Sequence, residues 1–237
     1  MSEALLEVRG LRAWYGRAQI LFDIDLQVGA GEVVALMGRN GAGKSTTFKA
    51  IMNLIPDVAG EALFQARSLL GLEPFQVARL GVGYVPEERR IFSELTVMEN
   101  LEVGRRLARE RAPAWTPDKL FRIFPNLGEM QRRLGGRMSG GEQQMLTVAR
   151  TLMGNPLLVM LDEPSEGIAP KIVEDMANMI VELKKAGLSV LLSEQNLHFA
   201  RLVCDRAYVI ERGQIKYEGT MSELARDERV KREYLSV

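Results

Sequence analysis

The feature that most constrains the fold of this sequence is a glycine-rich segment that follows a short apolar run. The apolar run is Val33-Val34-Ala35-Leu36-Met37, and the segment reads Gly38-Arg39-Asn40-Gly41-Ala42-Gly43-Lys44-Ser45. The segment matches in full the phosphate-binding pattern G-x-x-x-x-G-K-[ST]. A continuous apolar run is typical of a strand buried on both faces of a sheet, and we predict a helix from about Lys44 to Leu54 after the loop. This order of strand, loop and helix predicts a nucleotide-binding α/β domain and argues against a chance match in a turn.

The residue types of this loop suit the binding of phosphate. Glycines let backbone N–H groups turn inward and approach phosphate oxygens, and the helix N-terminus adds partial positive charge. We expect the Lys44 ammonium to reach the β- and γ-phosphates of ATP and the Ser45 hydroxyl to ligate Mg²⁺. The predicted nucleotide-binding residues of the loop are Gly38, Arg39, Asn40, Gly41, Ala42, Gly43, Lys44, Ser45 and Thr46.

A second apolar run, Leu157 to Leu161, leads directly into Asp162 and Glu163. Two carboxylates at the end of a buried strand are typical of the acidic strand that accompanies a phosphate loop. Asp162 is expected to hold Mg²⁺, directly or through water, and Glu163 to polarise the attacking water as general base. An acidic turn at a strand end is common in α/β proteins, so the interpretation depends on the phosphate loop upstream.

Strands and helices alternate towards both ends of the chain, whereas the middle is mostly helical. Further predicted strands are Leu5–Arg9, Ile20–Val28, Gly83–Pro86, Ser189–Leu192 and a hairpin of Ala207–Glu211 with Gln214–Glu218. Further predicted helices are Thr96–Arg111, Pro117–Phe124, Leu127–Leu134, Ser139–Met153 and Pro170–Ala186. We therefore predict one α/β domain over residues 1–237, with a core at 1–86 and 155–237 and an inserted helical subdomain at about 87–154.

Charge, cysteine content and hydropathy narrow the function classes. Lys plus Arg and Asp plus Glu each number 31, so the net charge is zero and nothing favours a nucleic-acid surface. The single cysteine, Cys204, indicates a reducing cytoplasm and is expected to act as a buried small hydrophobe. No apolar run approaches the ~20 residues that cross a bilayer, and the first residues lack a signal-peptide layout. Any membrane span is therefore expected in another chain.

A third motif, Met138-Ser139-Gly140-Gly141-Glu142-Gln143-Gln144, precedes an apolar helix. Ser139 is a suitable helix N-cap, and Glu142 three residues later completes a capping box. The motif also resembles the LSGGQ signature of ATP-binding-cassette (ABC) ATPases, with Met138 and Glu142 as substitutions. The resemblance implies that the first turn of this helix faces the γ-phosphate held by the other subunit of a dimer. The signature residues that it implies are Ser139, Gly140, Gly141 and Glu142.

The resemblance to ABC ATPases covers nearly the whole chain. It is strongest to the smaller ATPase of high-affinity branched-chain amino acid transporters, at residues 83–92, 162–170 and 194–196. ATPases of urea and other amide or amino acid transporters are also similar, notably at residues 166–168 and 234–237. Tyr15 falls where the family stacks an aromatic ring on adenine, although a core tyrosine is the alternative. The family fold implies a parallel-sheet core, an antiparallel β subdomain and the inserted α-helical subdomain.

The resemblance also implies partners and a location. Two ABC ATPase subunits would enclose two ATP molecules head to tail, most naturally as a heterodimer of homologous subunits, with a homodimer as the alternative. Closure and reopening of the dimer would move transmembrane permease subunits, and a substrate-binding protein would act indirectly. The expected location is cytoplasmic, peripheral on the inner face of the cell membrane, with no nucleic-acid partner.

Three positions, Glu87, Gln195 and Ala169, depart from the general family pattern, and the chain has a single histidine near the second of them. Glu87 stands where many relatives place a glutamine that contacts Mg²⁺ and the attacking water, and Gln195 stands where many place a histidine that touches the γ-phosphate. His198, the only histidine, is expected to be solvated or to pack within the fold. Ala169 replaces an aspartate of the dimer-contact loop.

Two rival functions remain at this point. A non-transport cassette protein is disfavoured because the chain lacks long heptad repeats and a second cassette. A binding module without hydrolysis is disfavoured by Glu163, although Gln195 leaves room for it. The sequence does not identify the transported substrate.

Overall fold

The computed structural model describes residues 4–235 and contains two sheets with helices packed around them. Met1–Glu3 and Ser236–Val237 lie outside the described residues, and with them the last two positions of the similarity at residues 234–237. The strands are β1 (Ala4–Tyr15), β2 (Ala18–Gly29), β3 (Val33–Met37), β4 (Asp57–Phe64), β5 (Arg67–Ser68), β6 (Val82–Val85), β7 (Leu158–Asp162), β8 (Ser189–Glu194), β9 (Arg206–Glu211) and β10 (Gln214–Thr220). The helices are α1 (Lys44–Ile51), α2 (Pro74–Leu80), α3 (Val97–Gly104), α4 (Pro117–Ile123), α5 (Pro125–Glu129), α6 (Gly140–Leu152), α7 (Pro170–Lys185), α8 (Leu197–Val203), α9 (Met221–Arg226) and α10 (Glu228–Val230).

The larger sheet has six strands in the order β10-β9-β3-β8-β7-β6. The five strands from β9 to β6 are parallel, and β10 joins the edge as the antiparallel arm of a hairpin. Every residue of β3, β7 and β8 is buried, as expected for parallel strands covered on both faces. The predicted parallel core is therefore confirmed, and so is the hairpin around Arg212-Gly213.

The smaller sheet is antiparallel, with the order β2-β1-β4-β5. Its apolar face, α1 and one face of the larger sheet share a core that includes Leu6, Leu21, Phe48 and Met160. The other face of the larger sheet packs on α6 and α7 in a second core. Alternate residues of β3 divide between the two, since Leu36 lies in the first core and Ala35 in the second.

The prediction of a long helix from Thr96 to Arg111 is wrong, because α3 ends at Gly104. The buried side chain of Asn155 holds the chain that follows in a non-helical path. Its amide donates to the carbonyl oxygens of Arg106 and Leu107, at 2.9 and 3.3 Å, and its oxygen accepts from the Trp115 N–H at 2.7 Å. These bonds compete with helical pairing and stabilise the loop.

The predicted helix Leu127–Leu134 is also wrong in extent, because α5 ends at Glu129. The carbonyl oxygens of Gln131 and Arg133 instead accept hydrogen bonds from the Met98 and Val97 N–H groups, at 3.1 and 3.0 Å. Those donors open α3 and have no partner within their own helix. The chain after α5 therefore pairs with the start of α3 instead of continuing the helix.

Candidate functional site

The phosphate loop is held in place by backbone bonds at both of its ends. The Gly38 N–H donates to the Glu194 carbonyl at the end of β8 (3.1 Å), and the Ala42 carbonyl accepts from the Gly213 N–H in the β9–β10 turn (2.8 Å). Gly43, with φ 114°, lies in a backbone region that favours glycine and caps α1. A Cβ atom at Gly38 would approach the Ile210 carbonyl oxygen to 2.4 Å. These glycines are therefore required by the close packing of the loop.

The Lys44 ammonium is buried, with 3% of the residue exposed, and is surrounded by oxygen atoms. Its Nζ donates to the carbonyl oxygens of Gly38 (2.7 Å) and Arg39 (3.0 Å) and forms an ion pair with Glu163 Oε1 at 3.0 Å. A buried charge is stabilised by such partners. The geometry thus brings together the predicted phosphate-binding cation and the predicted general base.

Asp162 is 1% exposed and accepts hydrogen bonds on both carboxylate oxygens. Its Oδ1 accepts from the hydroxyls of Ser45 (3.0 Å) and Ser193 (2.7 Å), and its Oδ2 accepts from the Tyr84 hydroxyl (3.1 Å). Burial, followed by the charge of Asp162, raises the pKa of Tyr84 and keeps it a neutral donor. Ser193 also accepts from the Glu163 N–H at 2.9 Å, so one hydroxyl connects both acidic residues.

Three further glutamate carboxyls lie close to one another beside Asp162: Glu87, Glu163 and Glu166. Burial acts to raise the pKa of Glu163, but hydrogen bonds from Glu166 and Lys44 and the charge of Lys44 outweigh it and lower the pKa. The hydrogen bond to Glu163, together with burial and negative charge, raises the pKa of Glu166 to about 7. Burial and the charges of Glu163 and Asp162 raise the pKa of Glu87. Lys44 therefore offsets only part of the negative charge around the loop.

A cavity of about 120 Å³ opens over the loop. It is lined by Ile20, Gly41, Gly43, Lys44, Ser45, Thr46 and Glu163. Its walls thus combine the phosphate loop with the acidic end of β7. Tyr15 does not line this cavity; it lies at the end of β1, paired with Ala18 of β2, and is 48% exposed.

The oxygen atoms of Asp162 and Ser45 suit a magnesium ion that takes its remaining ligands from phosphate and water. No cluster of three His, Cys, Asp or Glu side chains that could hold a metal is found among residues 4–235. Mg²⁺ commonly binds through one or two carboxylates together with phosphate oxygens and water. Asp162 and Ser45, whose oxygens lie 3.0 Å apart beside the phosphate loop, provide the protein part of such a set.

Gln195 and His198 lie just beyond the end of β8. Gln195 is exposed and directly follows Glu194, whose carbonyl accepts from the first N–H of the phosphate loop. His198 is exposed in the first turn of α8, which Asn196 caps by accepting from the Phe199 N–H at 3.1 Å. Gln195 is thus adjacent in the chain to the residue that bonds the phosphate loop, whereas His198 is the second residue of α8.

The predicted signature lies at the start of α6, apart from the cavity over the loop. The capping box is confirmed: Ser139 Oγ accepts from the Glu142 N–H (3.4 Å) and Glu142 Oε2 accepts from the Ser139 N–H (2.7 Å). Gly140 lies against the Arg89 guanidinium, where a Cβ would come within 2.4 Å of Nη1. None of the four signature residues lines the 120 Å³ cavity of the same chain.

Sequence reasoning missed several residues of this site. Tyr84 and Ser193 bond to Asp162, Glu166 lies near enough to Glu163 for its pKa to be raised, and Ile20 lines the cavity. The buried carboxylate of Glu194 accepts from the Ser165 N–H and so holds the loop after β7 (3.1 Å). Ser193 could have been found, because its hydroxyl directly follows the predicted apolar strand Ser189–Leu192. Nothing in the sequence pattern distinguishes the hydroxyl of Tyr84 from a core aromatic ring.

A parallel sheet that carries a phosphate loop at the end of one strand and an acidic pair at the end of another defines a P-loop nucleotide-hydrolysing enzyme. The sequence pattern of the ABC transporter family matches residues 21–166, more than half of the chain. The chain belongs to the ABC transporter family, as an ATP-binding, ATP-hydrolysing subunit.

Relatives of known role match over almost the full length. The chain is 39% identical to the high-affinity branched-chain amino acid transport ATP-binding protein BraG of Pseudomonas aeruginosa, over 98% of this chain and 99% of that protein. It is 34% identical to the lipopolysaccharide export system ATP-binding protein LptB of Escherichia coli, over 98% and 97%. A crystal structure of the ADP conformation of an ATP-binding cassette of an ABC transporter matches with a TM-score of 0.81 and 27% identity, over 98% of both chains.

Across residues 4–235, no helix combines the length and the apolar character that a membrane span requires.

Proposed function

We propose that this chain is the Mg²⁺-dependent ATPase subunit of an importer for branched-chain or other hydrophobic amino acids. The observation that carries this proposal is the 39% identity to BraG over nearly the whole of both chains. The predicted similarity to the smaller ATPase of such transporters, at residues 83–92, 162–170 and 194–196, points the same way. The domain division also belongs to this proposal, with a core at residues 1–86 and 155–237 and a helical subdomain at about 87–154.

The site supports a specific division of roles. The backbone N–H groups of the loop and the Lys44 ammonium would hold the phosphates, while Ser45 and Asp162 would hold Mg²⁺, which supplies charge neutralisation at the phosphate oxygens. Glu163 would take the proton of the attacking water. In the present geometry the Glu163 carboxylate pairs with Lys44 at 3.0 Å, and a phosphate oxygen is a natural competitor for that ammonium.

The remaining roles use residues at the margins of the cavity. Gln195, as a neutral amide, would donate to the γ-phosphate, and Glu87 would orient water or metal. Tyr15 would stack on adenine, which its exposure at the end of β1 supports. The four signature residues would face the nucleotide of the second ATPase subunit, because a helix N-terminus favours an anion. We prefer a heterodimer of homologous ATPases, with a homodimer as the alternative.

A groove of about 600 Å³ is the proposed docking site for a permease segment. Exposed apolar side chains along it include Leu54, Phe75, Phe92 and Val103. Two arginines stack over two of these rings, Arg79 over Phe75 at 5.0 Å and Arg150 over Phe92 at 4.9 Å. Apolar surface edged by cations suits an amphipathic helix that carries acidic residues. Such docking would place the chain at the inner face of the cell membrane, with a substrate-binding protein acting through the permease.

The second candidate is an ATPase of lipopolysaccharide export, because LptB of Escherichia coli is 34% identical over 98% of this chain. A urea or amide importer is the further alternative, from the similarity at residues 166–168. The three candidate transporters, for amino acids, lipopolysaccharide and urea or amides, would use the same nucleotide site. They would differ in the permease that docks in the groove.

The test combines partner capture with transport. The chain is co-expressed with the permease and ATPase genes that neighbour its own. The purified complex is reconstituted in vesicles with the substrate-binding protein outside and ATP either inside or omitted. We expect uptake of labelled leucine that depends on ATP and is lost in Glu163→Gln. Phe75→Glu should prevent assembly with the permease, whereas Phe22→Glu, on the surface of β2 away from the groove, should not. Transfer of lipopolysaccharide or uptake of urea without leucine uptake would replace the amino acid assignment.

A further inference from the structure

Tyr84 connects three parts of the molecule. On β6 it pairs in register with Met160 of β7, two residues before Asp162. Its ring meets the Phe48 ring of α1 edge-on, with centroids 6.4 Å apart and an interplanar angle of 85°. Its hydroxyl donates to Asp162 Oδ2 at 3.1 Å, and its ring forms part of the wall of the 600 Å³ groove.

The two carboxylate oxygens of Asp162 accept hydrogen bonds from different donors. Ser45 and Ser193 both donate to Oδ1, whereas Tyr84 is the donor to Oδ2 among the described side chains. Both serine hydroxyls can rotate, and Ser45 must turn its oxygen lone pairs towards a metal that it ligates. The Tyr84 hydroxyl is fixed at the end of a rigid ring that is held by a strand and by Phe48. It therefore sets the rotation of the carboxylate more firmly than the serines can.

We propose that Tyr84 is a positioning residue for Asp162: it holds the carboxylate in the orientation that binds Mg²⁺ and connects this ligand to the wall of the groove. This inference rests on the proposed metal role of Asp162. Partners that orient a metal-binding carboxylate typically contribute about 10–100-fold to metal affinity or activity. A phenylalanine would fill the same space between Phe48 and the groove, so the function of the hydroxyl lies in its bond to Asp162.

The test removes only the hydroxyl. Tyr84→Phe and the unmodified chain are loaded with a non-hydrolysable ATP analogue, and Mn²⁺ is titrated as a probe for Mg²⁺ and followed by electron paramagnetic resonance. We expect Mn²⁺ affinity to fall about tenfold in Tyr84→Phe. Affinity for ADP in the presence of EDTA should stay within about twofold, because no phosphate contact is lost. Steady-state assays should show a raised KM for Mg²⁺ with kcat at saturating Mg²⁺ largely retained.

Tyr208→Phe is the matched control. Tyr208 is buried, whereas Tyr84 is half-buried. The Tyr208 hydroxyl contacts Arg206 (2.7 Å) and Glu218 (3.0 Å) and accepts from the Gln27 N–H (3.1 Å), away from the phosphate loop. Loss of the Tyr208 hydroxyl should lower the melting temperature of the protein without changing its Mn²⁺ affinity. If Tyr84→Phe behaves in the same way as Tyr208→Phe, Tyr84 is structural only and the inference fails.

Asp162→Asn separates this inference from the proposed function. Unchanged Mn²⁺ affinity in Asp162→Asn would overturn the metal role of Asp162 itself. Weakened Mn²⁺ binding in Asp162→Asn with normal binding in Tyr84→Phe would overturn only the positioning role.

Discussion

The end of β7 and the start of α6 both carry residues expected to face nucleotide, but their surroundings differ. At the end of β7, Asp162 and Glu163 are buried, and they bond to the hydroxyls of Ser45 and Tyr84 and to the Lys44 ammonium. These partners come from β6 and α1, so the packing of a neighbouring strand and of the helix after the phosphate loop fixes the geometry. Removing any one of them leaves another buried polar group without its partner, which is costly.

At the start of α6, polar groups are satisfied locally. Ser139 and Glu142 exchange hydrogen bonds three residues apart, and both lie near the surface. The N–H groups of Gly140 and Gly141 have no partner within the helix, because first-turn donors never do. The first region is therefore organised by contacts within one chain, whereas the second is a helix end whose free N–H groups would favour an anion.

The largest effect is expected at the end of β7. Glu163→Gln keeps the shape of the side chain but cannot take up a proton, so hydrolysis should fall by about 10²–10⁴-fold. Binding of a fluorescent ATP analogue should be retained, and the protein should accumulate as an ATP-bound dimer. Glu182→Gln, an exposed residue paired with Lys185, is the control. A turnover rate equal to that of the unmodified chain would remove Glu163 from catalysis.

The second prediction tests whether the two regions belong to one site formed by two chains. Lys44→Ala should lose tight ATP binding, and Ser139→Arg should bind ATP but not hydrolyse it. In a homodimeric preparation, a mixture of the two variants should recover about a quarter of the normal rate, since half of the dimers contain one intact composite site. Activity of Ser139→Arg alone, or of isolated monomers, would show that the signature is not needed in trans.

The third prediction concerns the loop after β8, measured as ATPase turnover at saturating Mg²⁺-ATP with the partner subunits present. Gln195→Ala should lower turnover about tenfold, because one donor to a charged group is lost. Gln195→His should retain activity, since an imidazole N–H can replace the amide. His198→Ala should stay within about twofold, as for other exposed positions.

An inactive His198→Ala together with an active Gln195→Ala would mean that the histidine is the γ-phosphate sensor and that our assignment is wrong. If all three variants are active, hydrolysis depends mainly on the partner ATPase.

Much of the fold could be predicted because its strongest signals are local. The all-apolar runs that became β3 and β7 and the alternation in β2 marked strands, and Ser139 with Glu142 marked the start of α6. The limits of α3 and α5 could not be predicted. They depend on Asn155 and on residues 131–133, which contact α3 or its extension only in the folded chain.

The residues of the candidate site also fall into two groups, those with a local sequence signal and those without one. Lys44, Ser45, Asp162 and Glu163 belong to motifs of fixed spacing, so the sequence sufficed to propose them. Tyr84 lies 78 residues from Asp162 along the chain, and only the pairing of β6 with β7 brings its hydroxyl to the carboxylate. Contacts that depend on strand order leave no pattern of spacing.

The smallest predicted effect is a pH dependence of stability in the nucleotide-free protein. The pKa of Glu166 is raised to about 7 by its contact with Glu163, whereas an unfolded glutamate titrates near 4.3. The folded state therefore binds more protons between these values, and its stability falls as the pH rises from about 4.5 to about 7. The pKa of Glu163 is lowered, so its contribution is present above the unfolded pKa and is lost only at more acidic pH.

The substitution Glu166→Gln removes the group whose pKa is raised and leaves Glu163 in place. Its melting temperature should exceed that of the unmodified chain at about pH 8 and match it at about pH 4. The difference should be a few degrees at most, because Glu166 is exposed and water screens its interaction. Glu174→Gln, an exposed position on α7, should give the same small difference at both pH values. If Glu166→Gln also shows equal differences at the two pH values, the Glu163–Glu166 contact does not hold a proton near neutral pH.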